Sequence, residues 1–178
     1  MDSLWGNVFR VRPVAGTEAL LRRVPMFTDL DRRELAELEK ILYRREYRTG
    51  EVIFRQGDPG VGMYVVESGS VAIVYEPTER LLAELRGGDF FGEIALLNET
   101  PRSARATATA PTVLHGLFQP ELFDLLERSP RVGVKLLLPL AQNLGTRLVH
   151  ADGELQRLHE RLATLEAGTE PDDDAAMG

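Results

Sequence analysis

Cysteine is absent from this 178-residue chain, which excludes disulfides and thiolate metal sites and is compatible with a reducing compartment. Histidine is almost absent. Of the three present, His115 falls in a strand-like run, and His150 and His159 fall on one helical segment, too far apart to chelate together. A strand-borne metal centre needs clustered histidines, so no metal is expected. No Ser/His/Asp or Cys/His set is apparent, so the chain is not expected to be an enzyme. Long apolar runs are also missing; none approaches the roughly 20 residues that cross a bilayer. The opening "MDSLWGNVFRVRP" lacks the apolar core of a secretory signal, and a cytoplasmic location is expected. Positive charge is in deficit, with 21 Lys and Arg against 28 Asp and Glu for a net charge of −7. That balance argues against a nucleic-acid partner. From Ala151 onward eight acids face two arginines, which makes the C-terminus the least DNA-like part.

What is present is ordinary globular material: 43% hydrophobic and 28% charged residues, enough for one well-buried core. "TEALLRRVPMF" and "DRRELAELEKIL" read as helices. Asp31 followed by Glu34 gives a capping-box start, and Leu35, Leu38, Ile41 and Leu42 form one apolar face. From Tyr47 to Gln119 the pattern shifts to short β-rich runs, "EVIFR", "GMYVVES", "SVAIVYE", "ERLLAEL" and "TVLHGLF". Turn signals at Gly57 to Gly60, Ser68-Gly69 and Gly87-Gly88 separate them. An antiparallel sandwich or barrel follows. "PELFDLLERSP" and a long amphipathic segment then return to helix. The resulting division is an N-terminal segment over 1–16, a β-roll with flanking helices over 17–130, a long helix over 131–167 and a disordered acidic tail over 168–178. Leu4, Trp5, Val8 and Phe9 share one helical face. Docking on the protein itself is expected of so short a segment, and membrane contact is not.

The stretch "FGEIALLNETPRSARA", Phe91 to Ala106, interrupts the strands. Gly92 permits close backbone approach, and "EIALL" predicts one short helix whose first N–H groups are unpaired. Arg102 supplies a planar cation suited to phosphate oxygens. Ser103 and Ala104 are small enough for a ligand to lie on their amides. Glu93, when ionised, can only accept and needs a donor such as a sugar hydroxyl. A phosphate and a hydroxyl on one compact ligand suggest a ribose monophosphate. The competing view makes Glu93 and Arg102 a plain ion pair of little energetic weight.

"GEIALLNETPRSA" resembles the phosphate-binding cassette of the cyclic nucleotide-binding domain family, to which bacterial catabolite activator proteins and cyclic-nucleotide-dependent kinases and channels belong. "LLRRVPMFTDLDRRELAELEKIL" is similar to the family's leading helices, and "YRTGEVIFRQGDPGVGMYVVESGSVAIV" to its first strands. The likeness covers roughly 19–151. It implies an α+β fold, an eight-stranded antiparallel jelly roll flanked by helices, with the nucleotide inside. It also implies site residues. Glu93 would bind the ribose 2′-hydroxyl and Arg102 the cyclic phosphate. The amides of Gly92, Ser103 and Ala104 would complete the anion site, with Ile94 and Ala95 in the cassette helix beside it. Ile73, Leu82 and Ala83 would line the base. Two departures stand out: Arg105 occupies a position where many members carry Thr, Ser or an apolar residue, and Val61 replaces a frequent Asp. Ser103, where guanine-selective members often carry Thr, favours cAMP over cGMP as the ligand. A guanidinium about 4 Å from a phosphate gains roughly 4 kcal/mol at intermediate dielectric. Glu93 adds about 1.5–3 kcal/mol. With base burial these approach the roughly 8 kcal/mol of micromolar binding.

In "AQNLGTRLVHADGELQRLHERLATLEA", Ala141, Leu144, Leu148, Ala151, Leu155, Leu158, Leu162 and Leu165 alternate steps of three and four, a four-heptad seam. A parallel pairing sets Arg147 against Asp152, Glu154 against His159 and Arg161 against Glu166. The expectation is a coiled-coil homodimer, although a helix lying along its own barrel would share much of the pattern. Gly145 and Gly153 weaken the helix, and Pro139 is expected to start or kink it. By resemblance this helix closes over the base, with Arg147 as a ligand contact. Family members that read DNA carry a helix-turn-helix domain after it, and here an acidic tail stands in that place. The expected function is therefore a cyclic-nucleotide sensor that signals to an unknown protein effector through its dimer helix. The alternative is a constitutive dimeric scaffold whose pocket is vestigial or takes another ligand.

Overall fold

Strand β8 (Thr112–Phe118) organises the first of two sheets, because its "TVLHGLF" run is buried on both faces. It pairs antiparallel with β1 (Tyr43–Tyr47) on one side and β3 (Gly62–Ser68) on the other, and β6 (Phe90–Phe91) adds to β3, giving the order β1-β8-β3-β6. The second sheet runs β2-β7-β4-β5, from β2 (Val52–Phe54), β7 (Arg105–Ala108), β4 (Ser70–Tyr75) and β5 (Arg80–Arg86). Every pairing within the two sheets is antiparallel. The expected eight strands of the jelly roll are all present. The computed structural model describes residues 17–167, so the Leu4–Phe9 face and the acidic tail lie outside the described residues. The chain divides into two units, one through Pro139 and one from Leu140.

Between the sheets, Val66 and Leu114 of one meet Val71, Ala106 and Ala108 of the other, with Tyr47 and Phe91 closing the cluster. The strand pleat sends alternate residues to opposite faces, so Met63, Val65 and Leu117, all essentially inaccessible, lie on the other side of the first sheet. Strand β1 reads "YRREY", three charges in five residues. It forms despite this polarity because its whole length registers against β8, from Tyr43 opposite Gly116 to Tyr47 opposite Thr112. Tertiary pairing overrides weak strand propensity here, which is why the sequence places the first strand further along.

The expected leading helix is shorter than its pattern. Helix α1 covers Thr17–Leu21, and a single 3₁₀ turn, Pro25–Phe27, follows it. Helix α2 (Arg32–Glu39) starts as predicted: the Asp31 carboxylate accepts from the Arg33 and Glu34 amides at 2.7 and 3.0 Å, and Glu34 accepts from the Asp31 amide at 2.7 Å. Helix α4 (Gln119–Arg128) buries Leu122 and Leu125. Helix α5 (Pro130–Ala167) begins at one proline and continues through another, so Pro139 is inside the helix and does not start it. Pro130 is suited to the first helical position, where no amide partner is needed. Near the start of α5, Lys135 reaches Glu34 at 2.7 Å, fastening it to α2.

In the second unit Leu148, Leu155, Leu158, Leu162 and Leu165 are all exposed. Glu154 pairs within the helix with Arg157. Among the described residues, no helix is long and apolar enough to cross a membrane.

Candidate functional site

The segment after β6 turns on Gly92, which has φ +77°. L-residues rarely adopt that conformation, and a Cβ here would lie 2.5 Å from Nη1 of Arg102, so the guanidinium would have to shift. Glu93 follows as the residue before the short helix α3 (Ile94–Leu97), and its side chain does not cap that helix. Glu93 is 1% exposed, an acid brought indoors, and Ala95 is buried beside it while Ile94 points outward.

Ten residues on, the chain returns to the same place. Arg102 is 6% exposed and donates from Nη1 to the Gly92 carbonyl at 3.2 Å. Its guanidinium carbon lies 4.2 Å from the Phe54 ring centre and 5.9 Å from that of Tyr64. Burial pulls the Arg102 pKa down, while the nearby charges of Asp58 and Glu93 act in the opposite sense and favour the cation. Among the described residues, its Nε has no hydrogen-bond partner. A buried guanidinium with an unused donor is costly unless an anion completes it. Ser103 is exposed and Ala104 buried.

The "GDPG" turn is the wall against which this segment folds. The Arg102 amide donates to the Asp58 carbonyl at 2.9 Å, and the Gly57 amide donates to the Arg102 carbonyl at 2.8 Å. Pro59 bridges Pro101. A Cβ on Gly60 would fall 2.5 Å from Cβ of Ala95, so only glycine lets turn and cassette touch. Two signals legible separately in the sequence are therefore one structure.

Strands β4 and β5 bring the expected apolar residues together only in part. Ile73 faces Ala83 on β5 and Ala106 on β7, and packs on the inter-sheet core. The register slips next to Ile73, so that Leu81 pairs with Val74 and Leu82 becomes the extra residue of a bulge. Leu82 is 46% exposed; the bulge re-aims it, which strict alternation could not foretell. Arg147 lies on α5, in the second unit.

Phe54, Asp58 and Tyr64 escaped the sequence analysis. Phe54, Tyr64 and Phe91 form an aromatic cluster with ring centres 5.5–6.1 Å apart. No local motif marks them, because they become neighbours of Arg102 only when β2, β3 and β6 assemble. Among the described residues, no group of three or more His, Asp or Glu could hold a metal ion.

Comparison with known proteins points the same way. The family pattern of the cyclic nucleotide-binding domain matches residues 44–129. The chain is 39% identical over 137 residues to the cyclic AMP receptor protein of Thermus thermophilus, covering 75% of this chain and 62% of that protein. The crystal structure of the Thermus thermophilus catabolite activator protein superposes with a TM-score of 0.69 at 38% identity, over 76% of this chain and 63% of that one. The N-terminal domain of a transcriptional regulator from Streptomyces coelicolor A3(2) gives a TM-score of 0.65 at 33% identity, over 72% of this chain and 94% of that one. The chain spans less than two thirds of the length of the curated relatives it matches.

Proposed function

Because the chain belongs to the cyclic nucleotide-binding domain family, we propose that it is a sensor module for a cyclic nucleotide monophosphate, with cAMP preferred over cGMP. The observation that carries this is the buried Arg102 guanidinium, held over Phe54 with its Nε unused. A cyclic phosphate beside Gly92 would satisfy that nitrogen and offset the desolvation of the cation. Glu93, near enough for its charge to act on Arg102, takes the ribose 2′-hydroxyl. The amides of Ser103 and Ala104 add donors to the phosphate, Ala95 allows close approach, and Ile73 and Ala83 meet the base. Leu82, aimed outward by the bulge, would cover it.

Arg102→Ala tests the reading. Calorimetric titration with cAMP should show saturable binding to the wild-type chain and none to the variant, with both folded by circular dichroism. At a ligand concentration about 100 times the dissociation constant, binding should stabilise the wild type by about 2.7 kcal/mol. Equal affinity in the two proteins would remove the phosphate role from Arg102. Absence of stabilisation by cAMP, cGMP or other nucleotides would leave the constitutive scaffold as the function.

The output runs through α5. Its exposed leucine seam supports a parallel homodimer, since an apolar stripe of this regularity is stabilised by a matching copy. The intrahelical Glu154–Arg157 pair competes with the pairing of Glu154 to His159 of a second copy. The recipient of the signal is a protein effector, because the acid-rich C-terminal region disfavours nucleic acid. The module works in the cytoplasm, where cyclic nucleotides are made.

A further inference from the structure

Arg105 is the first residue of β7, two positions beyond Ser103, and it points its charge at the far end of a different hairpin. Its Nη1 and Nη2 contact the two Glu79 oxygens at 3.1 and 2.6 Å, a fork-on-carboxylate arrangement, and Nη1 also reaches Glu76 at 3.3 Å. Glu76 and Glu79 make the turn between β4 and β5. Glu79 has φ +49°, the sole non-glycine with positive φ among the described residues. Such a backbone persists when surrounding contacts hold it. The same turn is tied to the loop after β2, where the Gln56 amide donates to Glu76 at 3.1 Å and the Glu76 amide donates to the Gln56 side chain at 3.0 Å.

Strand β5 lies at the edge of its sheet, paired with β4 alone. Leu81 and Leu82 are both more than 45% exposed, so apolar packing does little to fix the outer part of β5, although Val71, Ile73 and Leu85 anchor the hairpin's base in the core. Its tip is fixed by charge, and the anchoring cation belongs to the strand that leaves the anion cassette. The planar guanidinium fork sets direction as well as distance. The Arg105 side chain is only 21% exposed, whereas that of Glu79 is 65% exposed, so the acid is the partner that can be released.

We propose that Arg105 and Glu79 form a positioning clamp that sets the β4–β5 hairpin, and with it the bulged Leu81–Ala83 segment, at a defined distance from the cassette. The clamp thereby tunes affinity for the base end of the ligand while leaving the phosphate contacts in place. The ligand half of this statement rests on the nucleotide reading above.

Three variants test it: Glu79→Gln, Arg105→Lys, which keeps the charge but loses the fork, and the double exchange Arg105→Glu with Glu79→Arg. In ligand-free protein, amide exchange across 80–86 should quicken about ten-fold in the single variants, with the cassette amides unchanged. Calorimetric affinity for cAMP should fall about five-fold in each single variant. The double exchange should recover to within about two-fold of wild type. Wild-type exchange and affinity in both single variants overturn the clamp, as does a double exchange that binds no better than either single variant. A wild-type chain that binds no cyclic nucleotide overturns the nucleotide reading, and then hydrogen exchange alone decides whether the clamp sets the hairpin.

Discussion

The central guanidinium carbon of Arg102 lies over Phe54, 4.2 Å from the ring centre. This contact joins the anion cassette to β2 at a separation of 48 residues. A ring face offsets part of the cost of burying a cation without consuming any of its N–H donors. Phe54 therefore contacts Arg102 without using its Nε, which has no hydrogen-bond partner among the described residues.

Replacing that ring tests the arrangement. Phe54→Leu keeps an apolar side chain but removes the π face. An exposed-to-buried cation–π contact is worth about 0.5–2 kcal/mol, so cAMP affinity should fall about two- to thirty-fold. Phe54→Tyr should retain most of it. Calorimetry on the three proteins decides; an affinity for Phe54→Leu equal to wild type would make the ring a bystander.

Gly92→Ala should be more severe. The left-handed backbone alone costs an alanine about 1–2 kcal/mol, and its Cβ would collide with Nη1 of Arg102 at 2.5 Å. The expected outcome is a lower melting temperature together with loss of cyclic nucleotide binding. Unchanged melting would mean that the turn relaxes, and the cradle would then be less rigid than its geometry implies.

Acid sensitivity should reach the helical layer through Asp31. Amide donation from Glu34 and Arg33 lowers the pKa of Asp31 below its ordinary 3.8. A carboxyl whose folded pKa is depressed adds stability above its unfolded pKa and loses it as pH falls through the folded value. Wild-type stability in urea should therefore decline on acidification below about pH 4 more steeply than that of Asp31→Asn, which retains a cap oxygen without the titration. Parallel pH profiles for the two would dismiss the cap as the source.

Much of this is legible in the amino-acid sequence. The capping box at Asp31 and Glu34, the strands "GMYVVES" and "TVLHGLF", and the glycine-entered helix after Phe91 each follow from local chemistry. What escaped depended on partners distant in sequence. β1 is charged and exists through its register with β8. The bulge at Leu82 arises from how β5 meets β4. Phe54, Asp58 and Tyr64 acquire meaning only once the "GDPG" turn has folded onto Arg102. Residue type disclosed which groups could bind an anion; assembly disclosed what keeps them charged and aimed.

The exposed seam of α5 yields the remaining prediction. Leu155, Leu158 and Leu162 are each more than half exposed in the single chain, and each would become a core position in a parallel pair. Burying a leucine is worth about 1.5–3 kcal/mol. A Leu158→Glu change forfeits that in both copies and sets like charges against each other across the axis. The dimer dissociation constant should rise at least about 100-fold, visible as a shift to monomer in sedimentation velocity at micromolar concentrations. Glu160→Ala, off the seam, should sediment as the wild type does. A wild-type chain that is already monomeric at tens of micromolar would remove the dimer, and the route from ligand to effector would then have to run through a single copy of the helix.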